Sequence, residues 1–345
     1  MNIFFGTFFK VLATLFAISF FLLILVGIIN LIENDKSADF KFVKGNLNSE
    51  NTIVILNLNG PIIPDSLGIN NISTFQFISP SNFKKKLETI EQLKPKLIII
   101  SINSPGGTVS ASYEIFNILK KFRLTNNIKS YFHTKEMLAS GAYWFALSGD
   151  KIFGSYGSLV GSIGVKGPDW IYYDKPIALS SGIFGKSIET ENGIKIYSQS
   201  AGKSKDLLNP FRKPTEEELD KLQLIVDHVY ENFLSSVSNK RKIEKNIIKN
   251  ELGGMIYSST IAKNNFLIDD VLSLDTLIEN EINNSGFVDY KIYENTTNNF
   301  SIFNNLLMNL FNIQKLNEKP LLNNNLCNTF KSNITSISNN YFLNC

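Results

Sequence analysis

The stretch Lys96-Leu97-Ile98-Ile99-Ile100-Ser101-Ile102 is apolar almost without interruption and rich in β-branched side chains. Unbroken apolarity, in place of strict alternation, is the pattern of a strand buried on both faces of a parallel sheet. Such a sheet needs helices on both sides, so the run commits the chain to an α/β architecture. The run ends in Asn103-Ser104-Pro105-Gly106-Gly107. Pro105 sets one φ, and Gly106 and Gly107 open backbone conformations closed to other residues, so an N–H can be aimed at an incoming carbonyl oxygen. A helix is expected from Thr108 to Leu119, with Ile115, Ile118 and Leu119 on one face.

A second turn follows the same plan. After the strand-like Lys129-Ser130-Tyr131-Phe132-His133 comes Met137-Leu138-Ala139-Ser140-Gly141-Ala142-Tyr143-Trp144, a serine set among small residues. In the first turn of a helix that serine would sit where backbone N–H groups lack intrahelical acceptors, with room beside it for a substrate backbone. An isolated turn of this kind is ordinary helix capping. Two of them, each with a strand before and a helix after, point to a nucleophile and an oxyanion site.

The ordered series Asn103-Ser104-Pro105-Gly106-Gly107, Ala139-Ser140-Gly141, Gly161-Ser162-Ile163-Gly164-Val165 and Lys205-Asp206 before Asn209-Pro210-Phe211-Arg212 resembles the bacterial signal peptide peptidases of the SppA and SohB type. The similarity runs from about Thr52 to about Ile278, and four motifs in order are far more specific than any one. The resemblance implies a ClpP/crotonase-like fold and a Ser/Lys dyad, with Ser140 as nucleophile and Lys205 as general base. It also implies an oxyanion hole from the N–H groups of Gly107 and Gly141, with Gly106 as the substitute for Gly107. It calls for no cofactor and no metal.

The residue inventory agrees. With only His133 and His228 in the chain, a Ser-His-Asp triad has few ways to be built. His133 reads as a strand residue without an orienting carboxylate nearby, and His228 as a helix-face residue. A lysine base must be neutral, so its pKa has to fall from about 10.4 toward about 7 to 8 through burial or neighbouring positive charge. Lys205 stands 205 − 140 = 65 positions after Ser140, so their meeting must be tertiary or between subunits. Lys135, Lys151, Lys166 and Lys203 are its rivals by proximity, Lys203 foremost, and the family pattern selects Lys205. Ser162 lacks the small-Ser-Gly helix start, and the glycines around it suit a strand passing close to another backbone.

From Val11 to Ile32 run 22 residues without a charge. At about 1.5 Å each they cover a hydrocarbon core of about 30 Å. Residues 1–32 are therefore expected to form a membrane anchor. A cleaved signal peptide fits less well, for its apolar region is usually about 7 to 15 residues and no small-x-small cleavage site is present. Lys10 precedes the span while Lys36, Lys41 and Lys44 follow it, so positive charge does not favour a cytoplasmic N-terminus. The resemblance does, and implies a catalytic domain on the extracytoplasmic, periplasmic side.

Beyond the anchor, residues 33–51 read as a polar linker, 52–286 as the peptidase domain and 287–345 as an Asn-rich extension. Thr52-Ile53-Val54-Ile55-Leu56-Asn57-Leu58 is expected to open the sheet, and alternating strands and helices continue through Gly154. The stretch from Pro168 to Ser204 looks expanded and includes the strand-like Gly193-Ile194-Lys195-Ile196-Tyr197-Ser198. Thr215 and Glu218 form a capping box ahead of an apolar helix face, Leu219, Leu222, Val226, Val229, Phe233 and Val237. Ser259 and Phe266 stand where the family commonly has glycine. Ile302 to Ile313 reads as an amphipathic helix for a partner subunit, the membrane surface or the core.

A net charge of +3 gives no nucleic-acid surface. Lys84, Lys85 and Lys86 read as a solvated helix face. Cys327 and Cys345 lack metal-ligand spacing and leave open one disulfide or two thiols. No internal repeat is recognisable, which favours a single-core form completed by homo-oligomerisation. The expected activity is a membrane-anchored serine endopeptidase acting on apolar peptides such as signal peptide remnants. A crotonase-like acyl-CoA enzyme and a catalytically silent membrane scaffold are the alternatives.

Overall fold

The computed structural model describes residues 6–8, 10–21, 40–65, 76–172, 178–181, 186–189 and 199–295. Helix α1 covers residues 10–21. In chain order there follow β1 (Phe40–Gly45), β2 (Thr52–Asn59), α2 (Pro80–Gln92), β3 (Leu97–Asn103), α3 (Val109–Asn126), β4 (Lys129–Thr134), β5 (Met137–Ala139), α4 (Gly141–Ala146), β6 (Lys151–Gly154) and β7 (Leu159–Gly161). Then come β8 (Ala178–Ser181), β9 (Lys186–Glu189), α5 (Glu216–Arg241), α6 (Lys245–Ile247), β10 (Ile256–Ser258), α7 (Ser259–Asn264), β11 (Asp270–Val271), α8 (Leu274–Ser285) and β12 (Lys291–Asn295).

Seven strands form one sheet in the order β1-β12-β2-β3-β4-β6-β11. Every neighbouring pair is parallel except β1 with β12. The fold is therefore mixed α/β, as the run in β3 requires. Alternate residues of each central strand serve opposite faces. Val54, Leu56, Ile98, Ile100, Phe132 and Ile152 join the larger core with α2, α3, α4 and α5. Ile53, Ile55, Leu97, Ile99, Tyr131 and Phe153 pack on Leu277 and Ile278 of α8.

Two strands lie outside the residues expected for the catalytic domain. β1 occupies part of the segment read as a linker, and β12 lies past Gly286 and inserts between β1 and β2. Residues near both ends of the described body thus close one edge of the sheet. β1 carries Lys41 and Lys44 between apolar residues, a pattern with little apolar periodicity to mark it beforehand.

α5 begins as its sequence demands. The Thr215 side chain accepts from the Glu218 N–H, and the Glu218 carboxylate accepts from the Thr215 N–H at 2.9 Å. Phe233, Leu234 and Val237 are buried, yet Leu219, Leu224 and Ile225 are exposed. Half of the helix is a core element, while its first turns carry apolar side chains that the described residues leave exposed.

Among the described residues, no helix is long and apolar enough to cross a membrane. The second part of the expected span, residues 22–32, lies outside them, as do Gly193 to Ser198, Ile302 to Ile313, Cys327 and Cys345. What is described of the span, α1, exposes Val11, Leu15, Phe16, Ile18, Phe20 and Phe21.

Candidate active site

Ser140 does not follow β4 directly. After Thr134 the chain leaves the large sheet and adds β5 to a second, three-stranded sheet ordered β10-β7-β5. Asn103, the last residue of β3, holds that departure. Its Oδ1 accepts from the N–H of Lys135 at 3.1 Å and of Glu136 at 2.9 Å, and its Nδ2 donates to Asn59 Oδ1 at 3.2 Å.

Between β5 and α4, Ser140 takes φ 54° and ψ −126°. A side chain at positive φ outside the compact left-handed region is strained, and such strain clusters at functional sites. Both sides of the residue are pinned: its N–H donates to the Gly161 carbonyl and its own carbonyl accepts from Trp144 N–H, each at 2.9 Å. This gives the Gly161-Ser162 motif its place. β7 pairs in parallel with β5, and a Cβ on Gly161 would lie 2.8 Å from the Met255 carbonyl oxygen, so the close backbone approach expected there is present. Ser162 is buried, and its N–H donates to Met255 O at 2.6 Å.

The other glycine turn lies against this elbow. Ser104 bridges to β5, its N–H donating to Met137 O at 2.8 Å and its carbonyl accepting from Ala139 N–H at 3.2 Å. A Cβ on Gly106 would stand 2.8 Å from both Gly141 N and the Ser140 Cβ, and Gly106 has φ 103°. A Cβ on Gly107 would meet the Ile62 carbonyl oxygen at 1.8 Å, so only glycine lets the turn pass this close to the chain after β2. On Gly141 a Cβ would lie 2.2 Å from Ser112 Oγ and 3.4 Å from Gly107 N. Ser140, Gly106, Gly107 and Gly141 are thus one cluster, although they come from two segments more than thirty residues apart.

α4 is a rigid backing for the cluster. Trp144 stacks on Phe233 of α5 with centroids 4.6 Å apart, and the Tyr143 hydroxyl donates to Leu267 O at 2.7 Å. Burial pushes the Tyr143 phenol up, so it stays a neutral donor. Ser140 itself is 1% exposed.

His133 is placed away from this chemistry. It follows Tyr131 by two in β4 and so shares the sheet face that carries α8, whereas α4 packs on the opposite face. Its Nε2 lies 3.0 Å from Leu272 O, and burial lowers its pKa, leaving a neutral ring that donates to that carbonyl. His228 is exposed on α5.

Lys205 lies in a turn between Gly202 and Leu208 and is exposed. No contact joins it to Ser140 among the described residues. Of its rivals, Lys203 pairs with Glu217, Lys166 with Asp169 at 2.9 Å, and Lys151 approaches Glu281 at 4.0 Å. Lys135 is exposed. Beside the Lys205 turn is a groove of about 220 Å³, lined in part by Ser204, Leu207, Leu222 and Ile225.

One residue of this region carries more than sequence reasoning assigned to it. Arg212 donates to both carboxylate oxygens of Asp206, from Nε at 2.6 Å and Nη2 at 2.8 Å, and to both of Glu218 at 2.8 Å. These bonds hold both carboxyls below the usual range. The capping box marked Glu218 in advance, but the six-residue steps from Asp206 to Arg212 to Glu218 have no local periodicity to betray a shared fork. Among the described residues, no cluster of His, Cys, Asp or Glu has the makings of a metal site.

The sequence model of peptidase family S49 matches residues 123–285, a span that holds Ser140, Gly141 and Lys205 and begins after Gly107. A signal peptide peptidase SppA of Enterococcus faecium is 30% identical over 249 residues, 70% of this chain and 68% of its own length. A protease of Methanocaldococcus jannaschii is 30% identical over 219 residues, covering 62% of this chain and 65% of that protein. Among solved structures, ClpP1 of Listeria monocytogenes aligns with a TM-score of 0.40 at 13% identity, over 64% of this chain and 92% of that one. The chain belongs to peptidase family S49, the serine peptidases that include the signal peptide peptidases.

Proposed function

We propose that the protein is a membrane-anchored endopeptidase that cuts extended apolar peptides, signal peptide remnants among them, through a Ser140/Lys205 dyad. The observation that carries this reading is the strained Ser140 elbow with the Gly106-Gly107 turn packed against it. Ser140 Oγ attacks the scissile carbonyl while the neutral Lys205 amine takes its proton. The N–H groups of Gly107 and Gly141 hold the oxyanion. Lys205 returns the proton to the leaving amine, and an acyl-enzyme on Ser140 remains. A water deprotonated by Lys205 then attacks the ester, and collapse of the second tetrahedral intermediate frees the acid and restores the hydroxyl.

Ser140 is buried and Lys205 exposed, and the exposed Leu207 and Ile225 line the groove beside the Lys205 turn. Both facts favour a dyad completed across a subunit interface, where a neighbour covers this apolar surface and desolvates the lysine. The exposed apolar residues of α1 favour the anchor, with residues 11–32 as the span and the catalytic domain outside the cytoplasm.

The test is complementation. Ser140→Ala and Lys205→Ala proteins should each be inactive on an apolar peptide, and oligomers assembled from both should regain part of the activity, since some junctions receive an intact serine and an intact lysine. Mixed oligomers of verified mass that stay as inactive as their parents would overturn the shared site. Full activity of Lys205→Ala would overturn the dyad itself.

A further inference from the structure

We infer that Arg212 is a positioning residue for the proposed reaction: its double fork to Asp206 and Glu218 fixes the turn that presents Lys205 to the serine. The inference deepens the Ser/Lys reading and rests on it for the role of Lys205, while the tether is a property of this chain's own geometry.

A lysine in a surface turn makes a poor catalytic group unless its backbone is held. The turn around Lys205 is supported by short local bonds, Lys205 N–H to Gly202 O at 3.2 Å, Leu207 N–H to Ser204 O at 3.1 Å and Asn209 N–H to Asp206 O at 3.1 Å. These bonds shape the turn but attach it to nothing. Lys203, which pairs with Glu217, and the Ser204 hydroxyl on Glu218 tie the start of the turn to α5, and the residue next to Lys205 adds the most extensive tie. Asp206 gives both oxygens to Arg212, and the same guanidinium reaches both oxygens of Glu218, which is 5% exposed in the first turn of α5. Glu218 is in turn tied to Thr215 by the capping box. Arg212 therefore splices the residue beside Lys205 to the N-terminus of a helix whose other half is core.

The guanidinium is itself oriented. Its carbon lies 5.0 Å from the Trp170 ring centroid, and the Trp170 indole N–H donates to Asn209 O at 3.1 Å. Nη1 also donates to Lys213 O at 3.2 Å. The planar fork makes four bonds to the two carboxylates, more than the three N–H donors of an ammonium could supply. The arrangement has a second effect. A carboxylate next in sequence to a catalytic lysine would otherwise compete for the ammonium as an ion pair, and with both oxygens on Arg212 it is engaged elsewhere.

The experiment uses the full chain, a fluorogenic apolar peptide and hydrogen exchange on the same samples. Arg212→Ala is expected to lower kcat by about 10- to 100-fold, the range for a displacement of about 1 Å of a catalytic group, with KM within about threefold. Exchange at amides 202–209 should accelerate while β2, β3 and β4 stay protected. Arg212→Lys should behave like Arg212→Ala, and Asp206→Ala should reproduce the loss. In a Lys205→Ala background, Arg212→Ala should change the residual rate no further.

Unchanged kcat in Arg212→Ala, or a loss of kcat matched by lost protection in β2 to β4, would overturn the positioning role. If Lys205→Ala remained active while Arg212→Ala still loosened amides 202–209, the base assignment would fall and the role with it, though the tether itself would stand.

Discussion

Replacing Ser140 by glycine should make the protein more stable than replacing it by alanine, although both changes remove the proposed nucleophile. Neither residue has a hydroxyl, so the comparison isolates the backbone. At φ 54° and ψ −126° a Cβ is strained, at a cost of about 1 to 3 kcal/mol. Glycine adopts the conformation freely but loses more chain entropy on folding, which offsets roughly 0.5 to 1 kcal/mol. A net gain of about 1 kcal/mol for Ser140→Gly over Ser140→Ala follows. In a body of this size that is an upward shift in Tm of about 2 to 4 °C. The conformation is not free to relax away, because Gly161 O and Trp144 N–H hold the residue from both sides at 2.9 Å. Equilibrium urea denaturation of the two full-length variants, with equal m-values as the control, reads the difference. An alanine variant as stable as the glycine variant, or more so, would refute the claim that the elbow stores strain. Both variants should lack peptidase activity.

Gly141→Ala should destabilise the protein by about 1 to 3 kcal/mol and cost about 100-fold in kcat, because the new Cβ meets Ser112 Oγ at 2.2 Å and Ser112 Cβ at 3.0 Å, and turning the hydroxyl aside relieves only the first. Adding Ser112→Gly removes the obstructing atoms and should restore most of the stability, which a melting series on the single and double variants checks. His133 makes a pH prediction: burial holds its folded pKa below the ordinary value of about 6.5, so the unfolded chain takes up the proton first. Stability is then complete above about pH 6.5 and declines as pH falls toward the folded pKa, and His133→Gln should flatten that decline while keeping most of the peptidase activity. A deep loss of activity at normal stability would restore a histidine mechanism.

What could be read in advance is what local pattern controls. β2 and β3 were legible because every neighbour of an interior parallel strand is apolar, and the requirement is written into consecutive residues. The start of α5 was legible because Thr215 and Glu218 satisfy each other's backbone within one turn. The helix after the Gly106-Gly107 turn was found but ends later than expected, at Asn126 with Asn127 at φ 50°, since Phe122 and the residues around it continue a face that no single breaker interrupts. Phe266, noted for standing where glycine is common, indeed has φ 60° and is exposed.

The sequence by itself determined the α/β class and the two glycine turns, because each rests on short-range rules of backbone freedom and burial, and its ordered motifs carried the resemblance to the family. Tertiary structure alone decided that β1 and β12 close the sheet edge, that β5 leaves β4 for a second sheet, and that His133 lies on the far side of the large sheet from α4. It also decided that Arg212 binds two carboxylates six residues away in either direction. All but the Arg212 fork depend on a partner distant in the chain, as Asn103 is for the turn before β5 and Leu272 for His133. A hydrogen bond across such a separation is chosen by which surfaces pack together, and no window of neighbouring residues contains that choice.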